Sequence, residues 1–300
     1  MANRSPDSSK LRFLFVHTAT RPPLGADTWI QALIIRHLDR SRHEVNVACA
    51  TGPESQPTPT FSALGDIPEL SIKPVNFGSE LFAKSLVERG EAAWDHSTDP
   101  GPVRADLGIA PDAPVVICVA RIFRGKGQAL LIQALALLTR KLPQIKLLIV
   151  GQDYPPKNNH TNELRALCAE LGVTGNVIFT GLRSDVPRLL AAADILAMPS
   201  FQEPFGLVYA EAMAMKKPVI AFDNGGTPEV VEHEKTGLLS PQDDVPALAA
   251  NLRRLVKDPE LRTRMGEYGR QRVETRFVPR RLAEDVARVY TEVMGRTSAS

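Results

Sequence analysis

Met198-Pro-Ser-Phe-Gln-Glu203-Pro-Phe-Gly206-Leu-Val-Tyr-Ala-Glu211-Ala-Met-Ala-Met215 joins an apolar, strand-like run (Asp194 to Met198) to a helix beginning near Gly206. Glu203 precedes that helix, and Glu211, eight residues later, falls in its second turn. A strand, a Gly/Pro-bearing loop and a helix N-terminus form a natural anion site, because unbonded backbone N–H groups point out of the helix end. Carboxylates beside it suit a ligand with both phosphates and hydroxyls.

Outward from this stretch the alternation of elements is regular. Strands are expected at Val115 to Ala120, Ile145 to Val150, Asn176 to Thr180, Ile195 to Met198 and Pro218 to Phe222, with a short last one at Gly237 to Ser240. Helices are expected at Gln128 to Arg140, Thr161 to Leu171, 184–193, 206–215, 243–257, 259–274 and 280–294. Continuous apolar strands separated by amphipathic helices predict a parallel sheet covered on both faces. Residues 102–275 therefore read as a doubly wound α/β domain, whose ligand groups belong in the loops after the strands.

Those loops hold unusual residues. After the first strand comes Ala120-Arg121-Ile-Phe-Arg124-Gly125-Lys126-Gly127, with three cations and two glycines. Arg offers a planar fork and Lys a point charge to phosphate oxygens, so this is a candidate phosphate site. It is not a Walker loop, and a solvated basic turn is the alternative. Gly151-Gln-Asp153 and Thr180-Gly181-Leu-Arg183 fit tight left-handed turns without further purpose. In Asn224-Gly225-Gly226-Thr227-Pro228-Glu229, Thr227 is expected as helix cap and Pro228 as first helical residue. The glycine pair would then offer bare N–H groups to a phosphate or hydroxyl.

The first hundred residues are sparser. Leu11 to Val16 is a strand, a helix is expected from Ala26 to Leu38, and His43 to Cys49 is a second strand, which makes a β-α-β unit. Gly25 before that helix and His17 at the end of the first strand are candidate ligand-approach residues, or simply parts of the turn. Prolines 53, 57, 59, 68 and 74 argue for loop, with a short strand near Leu70 to Lys73 and a helix from Ser79 to Arg89. The polar Trp94 to Pro102 marks a boundary, dividing the chain into 1–99, 100–278 and a terminal helix in 279–300.

With 43% apolar and 23% charged residues over 300 positions, the composition is that of an ordinary globular protein. A net charge of +2 gives no general argument for nucleic acid. Leu11 to Val16 is too short for a membrane span, and the widely spaced Cys49, Cys118 and Cys168 read as reduced core residues. The expected location is cytoplasmic. No metal ligands are expected, for no His/Cys/Asp cluster has ligand spacing. The arginines of the last helices (253, 254, 262, 264, 270, 272, 276, 280, 281) suit either a solvated face or peripheral contact with anionic lipid at the inner membrane face.

Arg121…Lys126-Gly127, Glu203-Pro-Phe-Gly-Leu-Val-Tyr-Ala-Glu211 and Gly225-Gly-Thr-Pro-Glu229 resemble the retaining glycosyltransferases of family 4, densely from about Pro102 to Phe277. The resemblance implies the GT-B fold, two Rossmann-like domains facing each other across a cleft with the last helix crossing back. It implies a nucleoside-diphosphate sugar as donor substrate and no cofactor or metal. Arg121 and Lys126 would neutralise the leaving diphosphate. Glu203 would contact the donor sugar and Glu211 the ribose hydroxyls. Backbone N–H groups around Phe205, Gly206 and Leu207 would hold oxygens, with Gly225 and Gly226 shaping the opposite wall. Catalytic roles thus fall on Glu203, Arg121 and Lys126. The match fades after about Gly52 and resumes near Pro100, so the resemblance implies a reduced N-terminal acceptor domain, with Gly25 and His17 as its acceptor-side candidates. A non-catalytic sugar-nucleotide-binding remnant, or half of a split enzyme completed by a partner chain, is the rival reading; a GT-B epimerase is a third.

Overall fold

The computed structural model describes the strands at 11–17, 43–51 and 71–76, residues 38–39, and residues 95–154, 159–201, 203 and 206–277. Gly25, Phe205, residues 26–37 of the first expected helix and the expected helices at 79–89 and 280–294 lie outside the described residues. The chain divides into two compact units, one of Met1–Gly90 with Arg276–Ser300 and one of Glu91–Thr275. The architecture is α/β and GT-B-like.

The first unit holds a parallel sheet in the order β1 (Leu11–His17), β2 (His43–Thr51), β3 (Ser71–Asn76). His17, the last residue of β1, stands opposite Cys49. Pro74, opposite Cys49 on the other side, is tolerated because β3 is an edge among the described strands.

The second unit begins with α1 (Gly101–Asp106) and β4 (Val115–Val119), then α2 (Gln128–Thr139), β5 (Lys146–Val150), α3 (His160–Glu170) and β6 (Val177–Gly181). It continues with α4 (Val186–Ala192), β7 (Ile195–Met198), α5 (Leu207–Ala214), β8 (Val219–Phe222) and the single turn α6 (Thr227–Val230). β9 (Gly237–Ser240), α7 (Val245–Lys257) and α8 (Pro259–Arg276) complete it. All six strands are parallel, in the order β6-β5-β4-β7-β8-β9. Val115, Val116, Ile117 and Cys118 are fully buried, as are Ile195 to Ala197 and Val219 to Phe222. A strand covered on both faces has no side that can be polar, which is why these segments read as unbroken apolar runs.

α1 was not expected. It is six residues long and begins in the polar boundary stretch, so it has no apolar stripe to reveal it. Its Arg104, 9% exposed, donates to Ala192 O (2.9 Å), Pro111 O (2.8 Å), Ala113 O (3.0 Å) and Asp194 Oδ2 (3.2 Å). Asp194 Oδ2 also accepts from Val115 N at 2.7 Å. One guanidinium thus ties α1 to the entrances of β4 and β7. Lys217 donates to Ala191 O at 3.1 Å; burial pushes its pKa down, with Asp194 opposing.

The arginines of α7 and α8 have a structural use. Arg262 caps α7 through Leu255 O and Val256 O, and Arg270 caps α5 through Ala214 O. Arg272 donates to Val230 O and Glu229 O and pairs with Glu232, while Arg254 grips Glu234 with both terminal nitrogens. Cations at these C-terminal carbonyls satisfy acceptors that the helices leave unbonded. No helix among the described residues is long and apolar enough to cross a membrane.

Two outcomes follow from this packing. Arg104→Met takes the donor from three carbonyls and from the Asp194 carboxylate, and should lower the unfolding free energy in urea by about 3 kcal/mol; a loss under about 1 kcal/mol would contradict the clamp. The Cys118 thiol is pushed up to about 12 by burial, and burial raises Cys168 too. Peptide mapping after iodoacetamide at pH 8 should find both unmodified in native protein and modified in denaturant.

Candidate functional site

The strand order reverses between β4 and β7: β5 and β6 are added on one side of β4, β8 and β9 on the other side of β7. Loops leaving two such strands diverge, and the crevice between them is where an open α/β sheet binds ligands. The loop after β4 carries Arg121 and Lys126; the loop after β7 carries Glu203.

The β4 loop is fastened along its length. Ala120 N donates to Val150 O (3.0 Å), Ile122 N to Gln152 O (2.8 Å) and Tyr154 N to Ile122 O (3.0 Å), so pairing with the β5 side continues past the strand ends. Gly151 lies beneath this crossing, where a Cβ would stand 1.9 Å from Ala120 O. Its φ is +143°, so the glycine serves a close backbone approach and not the left-handed turn expected of it. Buried Gln128 donates to Arg121 O at 3.0 Å.

A 3₁₀ turn, Arg124–Lys126, then leads into Gly127 at φ +68°. A Cβ there would stand 2.0 Å from Pro199 O of the β7 loop. Phe201 N donates to Gly125 O (2.9 Å), and Gly226 N donates to Glu203 O (2.9 Å). Three loops, after β4, β7 and β8, are therefore locked together by main-chain contacts.

Within this lock Lys126 Nζ lies 2.5 Å from Glu203 Oε2, with only 18% and 10% of the two side chains exposed. A charge-assisted hydrogen bond in so little water is stronger than a surface pair. The other two cations of the loop go elsewhere. Exposed Arg124 is 3.6 Å from Glu163 on α3, whose carboxyl is held below its ordinary range by His160 and then by Arg124. Exposed Arg121 places its guanidinium carbon over the Tyr154 ring, 4.3 Å from the centroid, and 5.7 Å from that of Phe123.

α5 starts from Gly206 at φ +72°, without a side-chain cap, so Leu207 stands in a first turn whose N–H groups lack the usual side-chain acceptor. A Cβ on Gly206 would meet the Tyr209 ring at 2.4 Å. Tyr209 is fully buried and donates to Met198 O at 3.3 Å; burial raises its pKa, opposed by Thr227. Glu211 sits half-buried in the second turn.

The β8 loop differs from expectation. Gly226 caps α6 and Thr227 is its first residue, because the Thr227 hydroxyl turns inward and is buried. Gly225 takes φ +54°, and the Gly226 N–H is spent on Glu203. Asn224 bridges to Ser200 O (3.1 Å) and Gln242 (3.0 Å). Ser200 Oγ and Asn224 Oδ1 are buried without a hydrogen-bond partner among the described residues, an uncommon condition for polar atoms.

The structure thus joins Lys126, Glu203 and Gly226, and sets Arg121 on the same loop as Lys126. His17 belongs to the other unit. Sequence reasoning missed Tyr154, Gln128 and Asp153, whose carboxylate accepts from Thr161 N (2.8 Å) and Oγ1 (2.7 Å) to cap α3. Only the register of β4 against β5 would have found them. Among the described residues no group of three or more His, Cys, Asp or Glu could hold a metal ion.

The family model described as "Glycosyl transferases group 1" matches residues 102–272, more than half of the chain. The chain belongs to the group 1 glycosyl transferases. Within this family it is 36% identical over 211 residues to a D-inositol 3-phosphate glycosyltransferase of Corynebacterium jeikeium, covering 69% of this chain and 50% of that protein. It is 38% identical over 225 residues to a GDP-mannose-dependent monoacylated alpha-(1-6)-phosphatidylinositol monomannoside mannosyltransferase of Corynebacterium glutamicum, covering 72% and 54%. The chain spans about half the length of the curated relatives it matches. In fold it is similar to Anabaena HepE, solved with UDP and glucose, at a TM-score of 0.69 and 19% identity, covering 94% of this chain and 100% of that one.

Gly127→Ala combines left-handed φ with collision against Pro199 O, whereas Gly172→Ala shares the φ (+68°) with nothing within 4 Å. In urea denaturation Gly172→Ala should cost about 1 kcal/mol and Gly127→Ala at least about 2 kcal/mol more. Equal costs would mean that the contact between the loops carries no strain.

Proposed function

We propose that this chain is a retaining, family 4-type glycosyltransferase, hexosyltransferase-like, that takes its sugar from a nucleoside-diphosphate sugar and needs no metal or cofactor. The observation that carries the reading is the Lys126–Glu203 pair, poorly hydrated and held at the reversal of strand order. A lysine beside a carboxylate there meets both demands of such a donor. The ammonium attracts the diphosphate, while the carboxylate accepts hydrogen bonds from sugar hydroxyls. Support also comes from relatives named as GDP-mannose-dependent and from HepE, solved with UDP and glucose.

The residues then divide the work. When the bond from anomeric carbon to phosphate breaks, negative charge grows on the departing diphosphate. Lys126 and Arg121 stabilise that charge from fixed positions, which lowers the barrier without reorganisation at the moment of reaction. The α5 N-terminus, at Leu207, adds N–H groups and a favourable dipole. Glu203 orients the sugar, Glu211 holds the ribose hydroxyls, and Gly225 and Gly226 keep the facing wall low. The acceptor attacks from the face the diphosphate leaves, so configuration is retained with no covalent enzyme intermediate. Because the chain spans about half of its curated relatives, a binding module without transfer is the second reading.

Calorimetric titration with UDP and GDP, and nucleoside-diphosphate release from the matching sugar nucleotides, separate the two. At least one of the nucleotides should bind, with Lys126→Ala weakening it tenfold or more, about 1.4 kcal/mol. Glu203→Gln frees Lys126 from its carboxylate, so nucleotide affinity should hold or rise while release falls by about a hundredfold. Binding without release, indifferent to Glu203→Gln, favours the module; no binding to either nucleotide ends the proposal.

A further inference from the structure

Arg121 and Arg124 leave the same loop three residues apart and meet opposite surroundings. Arg124 has a carboxylate, Glu163, at 3.6 Å. Among the described residues Arg121 has no carboxylate partner; its guanidinium lies over the rings of Tyr154 at 4.3 Å and Phe123 at 5.7 Å. The two arrangements differ in what they leave for a ligand. A carboxylate occupies the N–H edge of a guanidinium, the edge that binds phosphate. An aromatic ring offers the N–H groups no oxygen, so the fork is left for an anionic ligand.

The Tyr154 ring is itself well placed to act as a support. Tyr154 N donates to Ile122 O at 3.0 Å, one residue beyond Arg121, and Ile122 pairs with Asp153 as an isolated bridge. Asp153 is anchored in turn to Thr161 N and Oγ1 at the start of α3. The backbone leading to the ring is therefore held at Asp153 and at Tyr154 N, and Gln128 fixes the carbonyl of Arg121. Tyr154 as a residue remains 43% exposed, which a purely core-filling tyrosine would not be.

We infer that Tyr154 is a positioning residue: its ring holds the Arg121 guanidinium face-on so that its N–H edge is ready for the diphosphate. This rests on the nucleotide-sugar reading above and extends it to a residue outside the three interlocked loops. The arrangement pre-orders a long, rotatable side chain, and the benefit appears as affinity for the diphosphate.

The test is a titration of the full chain with UDP and with GDP. Tyr154→Leu should weaken the bound nucleotide by about three- to tenfold, the range of a partly exposed cation–π contact, with the thermal midpoint unchanged. Tyr154→Phe, which keeps the ring, should stay within about twofold of wild type. In an Arg121→Ala background Tyr154→Leu should cost nothing further, since no guanidinium is left to hold. The inference is overturned if Tyr154→Leu binds like wild type, if Tyr154→Phe is as weak as Tyr154→Leu, or if the loss persists without Arg121. Wild-type binding that Lys126→Ala abolishes but Tyr154→Leu leaves alone overturns this inference and spares the function. Failure of wild type to bind either nucleotide overturns both.

Discussion

The second unit depends on one constraint, a six-stranded parallel sheet buried on both faces. Parallel strands cannot be joined by hairpins, so every connection must cross back over a face, and helices fill that role. All strand exits then lie along one edge of the sheet. Reversal of strand order between β4 and β7 makes two neighbouring exits diverge. The site owes its place to this reversal, whatever its residues.

What the residues add is a lock. Gly127 admits the Pro199 carbonyl, Phe201 N reaches Gly125 O, and Gly226 N reaches Glu203 O. Main-chain contacts hold three loops at fixed spacing, so Lys126 and Glu203 meet without either side chain having to hold its loop in place. Such division suits electrostatic work, because charges that must not move are borne by a backbone that cannot. At the opposite edge Arg104 performs a comparable task, joining α1 to β4 and β7 through carbonyls and Asp194.

Much of the sheet is legible in the sequence. β7 spans Ile195–Met198 as read from its apolar run, and the other central strands differ by a residue at most. Burial on both faces gives a strand a continuous apolar run, and Gly, Pro and Asn mark its ends. The misses share a cause. α1 is too short to show a period, Thr227 turned its hydroxyl into the core instead of capping, and Gly151 yields to the carbonyl of Ala120. In each the deciding contact lies outside the local stretch: Arg104 of α1 reaches Ala192 and Asp194, Thr227 is buried in the core, and Gly151 meets Ala120.

The sequence by itself determined the doubly wound α/β pattern and the residues Arg121, Lys126, Glu203 and Glu211 as carriers of charge near a helix start. These follow from composition and local spacing, which a chain displays without folding. Tertiary structure alone decided which charges meet. Lys126 took Glu203, Arg124 took Glu163, and Arg121 was left stacked on Tyr154. Pairings of that kind depend on strand register and loop contact, and the spacing of residues along the chain carries no record of either.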